Sequence, residues 1–174
     1  METKAPNESA ETAVSFRRTV TIRRTADELY AFWRDLPNLP RFMRHLKSVT
    51  LTGPGTSHWV AKAPGGQDIS WDARIIDEVP GERIAWESLP DSQVENAGSV
   101  VFRESPSLRG TEVTVDLSYA PPAGTVGKVI ARLFGEEPQQ QVADDLLRFQ
   151  ALMETGEIPT TEGQSSGRRK KEVA

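Results

Sequence analysis

The sequence predicts an α+β fold in which an antiparallel sheet of about six or seven strands is covered on one face by a long C-terminal helix. Two observations carry this prediction. Apolar residues alternate with polar ones in one early segment and several later ones, and Gly and Pro separate the later segments, as in "TGPGT", "VPGE" and "SPSLRG". Near the C-terminus the apolar spacing changes to three and four residues, which is typical of an amphipathic helix.

The first predicted element is a strand, because every second position is apolar at Val14, Phe16, Val20 and Ile22. Arg18 falls on the same face and interrupts it. The next segment, "TADELYAFWRDL", predicts a short helix, since Thr25 and Glu28 have the spacing of a capping box. Pro37 and Pro40 end this helix and start a second short one, in which we place His45.

Six further strands are predicted, over residues 46–53, 57–63, 67–79, 82–89, 96–104 and 110–120. Because the connections are short, consecutive strands are expected to pair antiparallel as a meander. Their alternation predicts one dry and one wet face. The dry face holds Trp59, Ala61, Ile69, Trp71, Ala73, Ile75, Ile84, Trp86, Val100, Phe102, Val113, Val115, Leu117 and Tyr119.

The cover of the dry face is predicted to be a helix over residues 125–155 that Pro138 kinks or splits in two. Its apolar stripe consists of Val126, Val129, Ile130, Leu133, Phe134, Val142, Leu146, Phe149 and Met153. The domain is expected to span residues 14–156. Residues 1–13 and 157–174 are polar and without periodicity, so both are predicted to be disordered tails.

Composition excludes several classes of function. The chain has no Cys and only two His, so we expect no disulfide, no transition-metal site and no cofactor, and a cytoplasmic location. No apolar run approaches the length of a membrane span. Residues 14–48 carry a local charge of +5 and residues 49–156 one of −8. A polyanion would be repelled by most of the chain, so nucleic acid is not an expected partner.

The sequence resembles the START/Bet v1-like (SRPBCC) superfamily, and more closely a bacterial subgroup of its polyketide cyclase/dehydrase and coenzyme-Q-binding branch. The likeness rests on "DLPNLPRFMRHLKSV", "WDARIIDEVPGERIAW", "GSVVFRE", "GTEVTVDLSYAPPAG" and "ARLFGEEPQQQVADDLLRFQALMETGEI". The resemblance implies the helix-grip fold, in which a curved sheet wraps around the long helix. It also implies an apolar pocket between them for a lipid, quinone, sterol or polyketide-like molecule.

Large apolar side chains would line this pocket. They are Trp33, Phe42, Met43, Trp59, Trp71, Ile75, Trp86, Phe102, Val115, Tyr119, Ile130, Phe134, Leu146, Phe149 and Met153. Aromatic residues in this number suit a ligand site. The same residues are equally what a filled core between a helix and a sheet requires, and the sequence leaves both interpretations open.

Few side chains are suited to catalysis. The chain has no GxSxG, HExxH, P-loop or GxGxxG sequence. His45 and Tyr119 are weak candidates for acid–base work or for orienting a carbonyl group. Arg18 is a third, because a guanidinium on an apolar face must pair with a carboxylate such as Glu104, reach the rim of the pocket, or bind an anionic ligand group.

Three functions follow as hypotheses. The first is non-catalytic binding or transport of a hydrophobic small molecule, the second is a polyketide cyclase or dehydratase, and the third is a protein-interaction module with a filled core. In the first, residues 36–46 would close one end of the pocket with Leu36, Leu39, Phe42, Met43 and Leu46 inside. Arg41, Arg44 and Lys47 would face water, suiting an acidic ligand head or weak contact with an anionic membrane.

Overall fold

The computed structural model describes residues 14–62, 66–107, 109–119 and 138–159. Several predictions fall outside these ranges: residues 1–13, residues 160–174 and the apolar positions Val126, Val129, Ile130, Leu133 and Phe134.

Within the described residues, seven strands form one curved antiparallel sheet, as predicted. The strands are Val14–Ile22 (β1), Leu46–Gly53 (β2), Thr56–Lys62 (β3), Asp68–Val79 (β4), Arg83–Ser88 (β5), Asn96–Ser105 (β6) and Gly110–Tyr119 (β7). Their order across the sheet is β1-β7-β6-β5-β4-β3-β2. The strands β2 to β7 are therefore a meander, and β1 closes it by pairing with the last strand.

The tight turns of the meander depend on glycine. Gly55 joins β2 to β3 with φ of 71°, and Gly81 joins β4 to β5 with φ of 75°. Residues with a Cβ rarely adopt this left-handed conformation, because their side chain approaches the following carbonyl oxygen. The glycines that predicted the ends of these strands are thus also the residues that form the turns.

Two short helices follow β1. The first, α1, spans Ala26–Arg34 and begins with the predicted capping box: the Thr25 hydroxyl accepts from the Glu28 backbone N–H, and the Glu28 carboxylate accepts from the Thr25 N–H. The second is a 3-10 helix over Leu36–Arg41 with Pro40 inside it. Short 3-10 segments of this kind are frequent as connectors.

The described part of the C-terminal helix, α2, spans Pro138–Thr155 and lies mainly against β1. Arg24, in the loop after β1, donates to the carbonyl oxygens of Met153 at 2.7 Å and Glu154 at 3.3 Å. These bonds satisfy carbonyl groups that a helix end leaves unpaired. They hold the end of α2 against the loop that leads into α1.

The two faces of the sheet divide as the alternation predicts. The buried side chains of the dry face are Trp59, Ala61, Ile69, Trp71, Ala73, Ile84, Trp86, Val100, Phe102, Val113 and Val115, and they form one core with Val142, Leu146 and Phe149 of α2. Ile75 and Leu117 are half-buried. The next residue, Ile76, lies on the wet face, as the alternation requires, and is 53% exposed. The pairing of β4 with β5 is irregular between Ile75 and Asp77.

Candidate functional site

A small internal void lies where β7, α2 and the segment after the 3-10 helix meet. Its lining consists of Trp33, Phe42, Met43, His45, Val115, Leu117, Val142, Asp145 and Leu146. Its volume is about 20 Å³, which leaves room for about one water molecule. This void is much smaller than the predicted lipid-sized pocket, and Ile130 and Phe134, which were also predicted to line that pocket, lie outside the described residues.

Beside the void, aromatic rings pack on one another. The ring centroids of Phe42 and Phe149 are 4.7 Å apart, and both lie 5.3 Å from the ring centroid of Trp33. Phe102 meets Trp33 edge-on at 6.3 Å. Tilted and edge-on pairs at these distances are favourable beyond the area that they bury. These four residues were all predicted to line the pocket, and here they contact one another.

A second aromatic group, the tryptophan stack, crosses three neighbouring strands. Trp59 on β3 lies 5.9 Å from Trp71 on β4 and 6.4 Å from Trp86 on β5, with ring planes within 22° of parallel. Gly98 on β6 gives the stack its space, because a Cβ there would lie 2.7 Å from Cε2 of Trp86. Three of the predicted pocket residues thus form a group of their own on the dry face.

Two buried indole groups have no hydrogen-bond partner among the described residues: Nε1 of Trp33 and Nε1 of Trp71. Nε1 of Trp59, in contrast, donates to the Ser57 hydroxyl at 2.8 Å. A buried donor without a partner costs about 1–3 kcal/mol. Trp33 is also one of the residues that line the void, and its exposed fraction is 0%.

A buried polar group lies beside the void and consists of His45, Asp145 and Arg148. Nδ1 of His45 is 3.5 Å from Oδ2 of Asp145, and the side chains are 16% and 7% exposed. Arg148 donates to the Asp145 carboxylate and, at 3.0 Å, to the carbonyl oxygen of Phe42. The Arg44 backbone N–H also donates to Asp145, at 3.3 Å. These bonds attach residues 42–45 to α2.

His45 was predicted to lie in the second helix, and this was wrong. The 3-10 helix ends at Arg41, and His45 lies in a turn directly before β2. The helix ends there because its last amide bonds are made by Phe42 and Met43 to Leu39, after which the chain turns into the strand. The turn nevertheless brings the imidazole to the void, next to Asp145.

Arg18 is not among the described residues that line the void. Arg18 is half-buried, and its guanidinium donates to Oε1 of Gln139 at 2.6 Å and to the Arg17 carbonyl oxygen at 2.8 Å. The suggested partner of Arg18, Glu104, accepts instead from the Ala26 N–H at the start of α1, so that pairing was wrong. Tyr119 is the last residue of β7.

The remaining predicted residues divide between three places. Trp33, Phe42, Met43, Val115 and Leu146 line the void, while Ile75 and Met153 are half-buried at the border of the core. Ile130 and Phe134 lie outside the described residues. The sequence analysis missed Asp145 and Arg148, although Asp145 comes three residues after Val142 and four before Phe149, on the apolar stripe of the helix. A carboxylate at that position was a signal of a buried polar contact.

Residues 36–46 form the segment that covers the void, and they have the predicted buried apolar face and exposed basic face. Leu36, Leu39, Phe42 and Leu46 are buried and Met43 is half-buried. Arg41, Arg44 and Lys47, which we call the basic rim, are exposed. Cζ of Arg41 lies 5.3 Å from the ring centroid of Phe32.

A further charged group joins α1 to the end of β4. The Tyr30 hydroxyl donates to the Glu78 carboxylate, and Arg34 donates to the same oxygen at 2.6 Å. Burial, followed by the hydrogen bond to Glu78, raises the pKa of Tyr30 to about 12. The hydrogen bonds from Tyr30 and Arg34 lower the pKa of Glu78. This group stabilises the attachment of α1 to the sheet.

In the part of the chain that the structure describes, no group of three His, Cys, Asp or Glu side chains could hold a metal ion. In the same part, no helix combines the length and hydropathy needed to cross a bilayer.

A seven-stranded curved antiparallel sheet with a C-terminal helix on its dry face defines a START-like, ligand-binding type of fold. The chain belongs to the family described as polyketide cyclase / dehydrase and lipid transport, whose model matches residues 22–147, well over half of its length. The resemblance read from the sequence is therefore confirmed.

Three proteins of known sequence or structure are similar to this chain. A crystal structure of a Deinococcus radiodurans protein is 43% identical, with a TM-score of 0.68, and the match covers 83% of this chain and 99% of that one. An uncharacterized 17.2 kDa protein of Streptomyces lincolnensis is 27% identical over 72% of this chain and 79% of its own. A START superfamily protein of Mycobacterium smegmatis is 16% identical, with a TM-score of 0.60 over 81% of this chain and 98% of that one, and shows the fold alone.

Proposed function

We propose that this protein binds or carries a hydrophobic small molecule, such as a lipid, a quinone or a polyketide-like molecule, and catalyses no reaction on it. The binding site is the dry face of the sheet where it meets α2, around the void and the tryptophan stack. The observation that carries the proposal is the wholly apolar surface of that void, lined by Trp33, Phe42 and Leu146 among others, in a chain whose family is described as polyketide cyclase / dehydrase and lipid transport.

Binding requires the closed site to open. Met43 and Leu117 line the void and are both half-buried, so they can move at lower cost than the fully buried rings around them. Methionine has three rotatable bonds and adapts readily to different shapes. Met43 also lies in the segment of residues 42–45, which is attached to α2 through only a few hydrogen bonds. Opening of this segment is the entry route that we propose.

We propose that no reaction is catalysed, because the described lining of the void contains few ionisable side chains and these already contact other residues. They are His45 and Asp145. Asp145 accepts hydrogen bonds from Arg148 and from the Arg44 N–H, which fix its carboxylate as a structural contact. General acid–base catalysis requires a group that is placed to exchange protons with the substrate.

The same geometry favours one alternative, a cyclase or dehydratase of the polyketide type. His45 lines the void and has a carboxylate oxygen 3.5 Å from Nδ1, which is the kind of arrangement that orients a catalytic imidazole. If this alternative is right, His45→Gln abolishes turnover of a polyketide-like substrate without changing its affinity. If the non-catalytic proposal is right, no turnover is found for either protein.

The main test is direct. The recombinant protein is extracted with organic solvent for mass spectrometry, and a panel of lipids and quinones is screened by thermal shift. We expect either a co-purified hydrophobic molecule or at least one compound that raises the melting temperature, since a ligand that binds only the folded state stabilises it.

A matched pair of variants locates the site. Met43 is a half-buried residue of the lining, and in Met43→Trp the larger side chain fills the void. This variant is expected to abolish the thermal shift. Leu147→Trp introduces the same side chain at a position of α2 that is 55% exposed, and is expected to leave the shift unchanged. Equal responses of the two variants would place the ligand elsewhere.

An empty extract together with no stabilising compound would contradict the proposal. The closed packing around a void of about 20 Å³ would then favour the third hypothesis, an interaction module with a filled core.

We also propose weak contact between the basic rim and an anionic membrane surface. Arg41, Arg44 and Lys47 are exposed on the outer side of the segment that covers the void. Basic side chains at an anionic bilayer contribute about 1 kcal/mol each. Contact there would place the proposed entry route next to a source of hydrophobic molecules.

A further inference from the structure

We infer that the outer edge of β2 is a dimerisation surface, and that the partner is the β2 strand of a second copy of this chain. The two strands pair antiparallel over residues 48–52, so that one sheet runs through both copies. This inference goes beyond the proposed function, because it concerns the edge of the sheet and not the void beside α2.

The outer edge of β2 is open in the part of the chain that the structure describes. The strand is the last of the sheet and pairs only with β3. Residues 50–53 are all exposed, although Ser57, which lies opposite on β3, is buried. Beyond the pairing with β3, no hydrogen bond of the described residues engages the backbone of residues 47–52. The outward N–H and C=O groups of this edge can therefore pair with a further strand.

The strand at the opposite edge, β1, is protected against such pairing. The Arg17 carbonyl oxygen accepts from the Arg18 guanidinium at 2.8 Å, and the Thr21 carbonyl oxygen accepts from Gln150 of α2 at 2.9 Å. Charged side chains on an edge strand also hinder the approach of another strand. In contrast, the single charged residue of β2 is Lys47, the second residue of the strand. The two edges therefore differ, and β2 is the one that a further strand can join.

The composition of β2 favours a second copy as the partner. Residues 48–56 carry no charge, so two copies of this segment meet without repulsion, although the whole chain has a net charge of −4. A two-fold axis that keeps both dry faces on one side must pass through a residue, because side chains alternate between the faces. An axis at Thr50 places it opposite Thr50 of the partner subunit. Each copy then supplies both the open edge and the strand that fills it.

Leu51 becomes covered in this arrangement. It shares the dry face with Val49, since these residues lie opposite Ser57 and Trp59 of β3, yet it is 51% exposed. With the axis at Thr50, Leu51 lies opposite Val49 of the partner subunit, and pairing buries an apolar side chain together with the backbone groups. Because five residues from each copy make a small interface, we expect a weak dimer with a Kd on the order of 100 µM.

Sedimentation equilibrium of the full chain, at concentrations on both sides of that value, tests the inference. Thr50→Lys places two ammonium groups opposite each other at the axis, so it should weaken dimerisation at least about 10-fold. Thr19→Lys adds the same charge at an exposed position of β1 and should leave the Kd unchanged. Circular dichroism checks that both variants fold.

The absence of cysteine allows a second measurement. In Thr50→Cys the new thiol is the only one of its chain, so any disulfide that it forms joins two copies. Directly opposed residues of an antiparallel pair have Cβ atoms about 4.5–5.5 Å apart, close to the separation that a disulfide spans. We expect oxidation to cross-link Thr50→Cys, or Leu51→Cys if the axis lies one residue further along, and not Thr19→Cys.

A chain that stays monomeric at every concentration would overturn the inference. Slow hydrogen exchange at the Thr50 and Thr52 amides would then show that another segment of the chain covers the edge, and fast exchange would show an edge open to a different protein. Equal weakening by Thr50→Lys and Thr19→Lys would also overturn it. So would a dimer in which neither Thr50→Cys nor Leu51→Cys cross-links, because its interface would lie elsewhere.

Discussion

Asp145 and Arg148 form an ion pair across one turn of α2, and their side chains are only 7% and 15% exposed. The pair also reaches outside its own helix, because Arg148 donates to the Phe42 carbonyl oxygen and Asp145 accepts from the Arg44 N–H. Two side chains of α2 thus hold the segment that covers the void.

Removing one charge of this pair should destabilise the protein. Asp145→Asn keeps the shape of the side chain but leaves the Arg148 guanidinium buried without a counter-charge, so we expect the free energy of unfolding to fall by about 3 kcal/mol. Urea denaturation measures it. The control is Asp144→Asn on the same helix, where the carboxylate accepts from Gln140 near the surface and a loss of less than about 1 kcal/mol is expected. Equal losses would contradict a special role for Asp145.

The covering segment should open more often than the sheet. Its amides make few bonds, among them Met43 N–H to Leu39 and Leu46 N–H to Met43. We expect hydrogen exchange at these two amides to be faster than at Val113 of β7, which is paired on both sides. Arg148→Met should accelerate exchange at the Met43 and Leu46 amides further. Arg17→Met, which breaks an exposed pair with Asp116, should not. Unchanged exchange in Arg148→Met would refute the attachment.

The Tyr30–Glu78 contact predicts a pH dependence of stability. Because the pKa of Tyr30 is raised, its contribution is complete below about pH 10 and is lost as the pH rises to about 12. Because the pKa of Glu78 is lowered, its contribution is present above the ordinary value of 4.5 and is lost as the pH falls through the folded value. Tyr30→Phe should cost about 1 kcal/mol near neutral pH and flatten the alkaline decline. An unchanged alkaline profile in denaturation experiments would contradict this assignment.

The tryptophan stack should not tolerate a methyl group at Gly98. A Cβ there would lie 2.7 Å from Trp86 and 2.9 Å from Cδ2 of Leu117, so Gly98→Ala forces both side chains to move and should cost about 1–3 kcal/mol. The control is Gly53→Ala, where the new Cβ meets only the exposed Thr56 hydroxyl, at 2.9 Å. Thermal denaturation that ranks the two variants in the opposite order would contradict the close packing.

The basic rim predicts binding to anionic vesicles. The protein should co-sediment weakly with vesicles that contain phosphatidylserine. This binding should disappear at high salt and should be absent with vesicles of phosphatidylcholine alone. Arg44→Gln should weaken it about 5-fold, the equivalent of about 1 kcal/mol. Arg103→Gln removes the same charge from an exposed position of β6 and should have no effect. Equal weakening by both variants would indicate attraction to the whole surface instead of the rim.

Much of the fold was predictable because it depends on local patterns. Alternation and the Gly and Pro positions predicted all seven strands and their faces, and the Thr25–Glu28 spacing predicted the start of α1. The irregularity after Ile75 was not predictable, since it results from the pairing of β4 with β5.

The site was less predictable because it depends on contacts between distant residues. His45 was placed in a helix, since nothing local shows that a Pro-rich 3-10 helix ends at Arg41. For Arg18 a carboxylate, the rim and an anionic ligand group were all left open, and the structure has it donating to Gln139, 121 positions away. The missing partner of Trp33 is a property of the packed core and has no signature in the sequence.

The tryptophan stack described above also has an optical consequence. The indoles of Trp71 and Trp86 each lie nearly parallel to that of Trp59, at 5.9 and 6.4 Å, which is close enough for electronic transitions to couple and for excitation to pass between them. The circular dichroism of the folded protein should therefore show an exciton couplet that unfolding abolishes. Any guest that wedges into the dry face would disturb that couplet, so the protein contains its own spectroscopic reporter of occupancy.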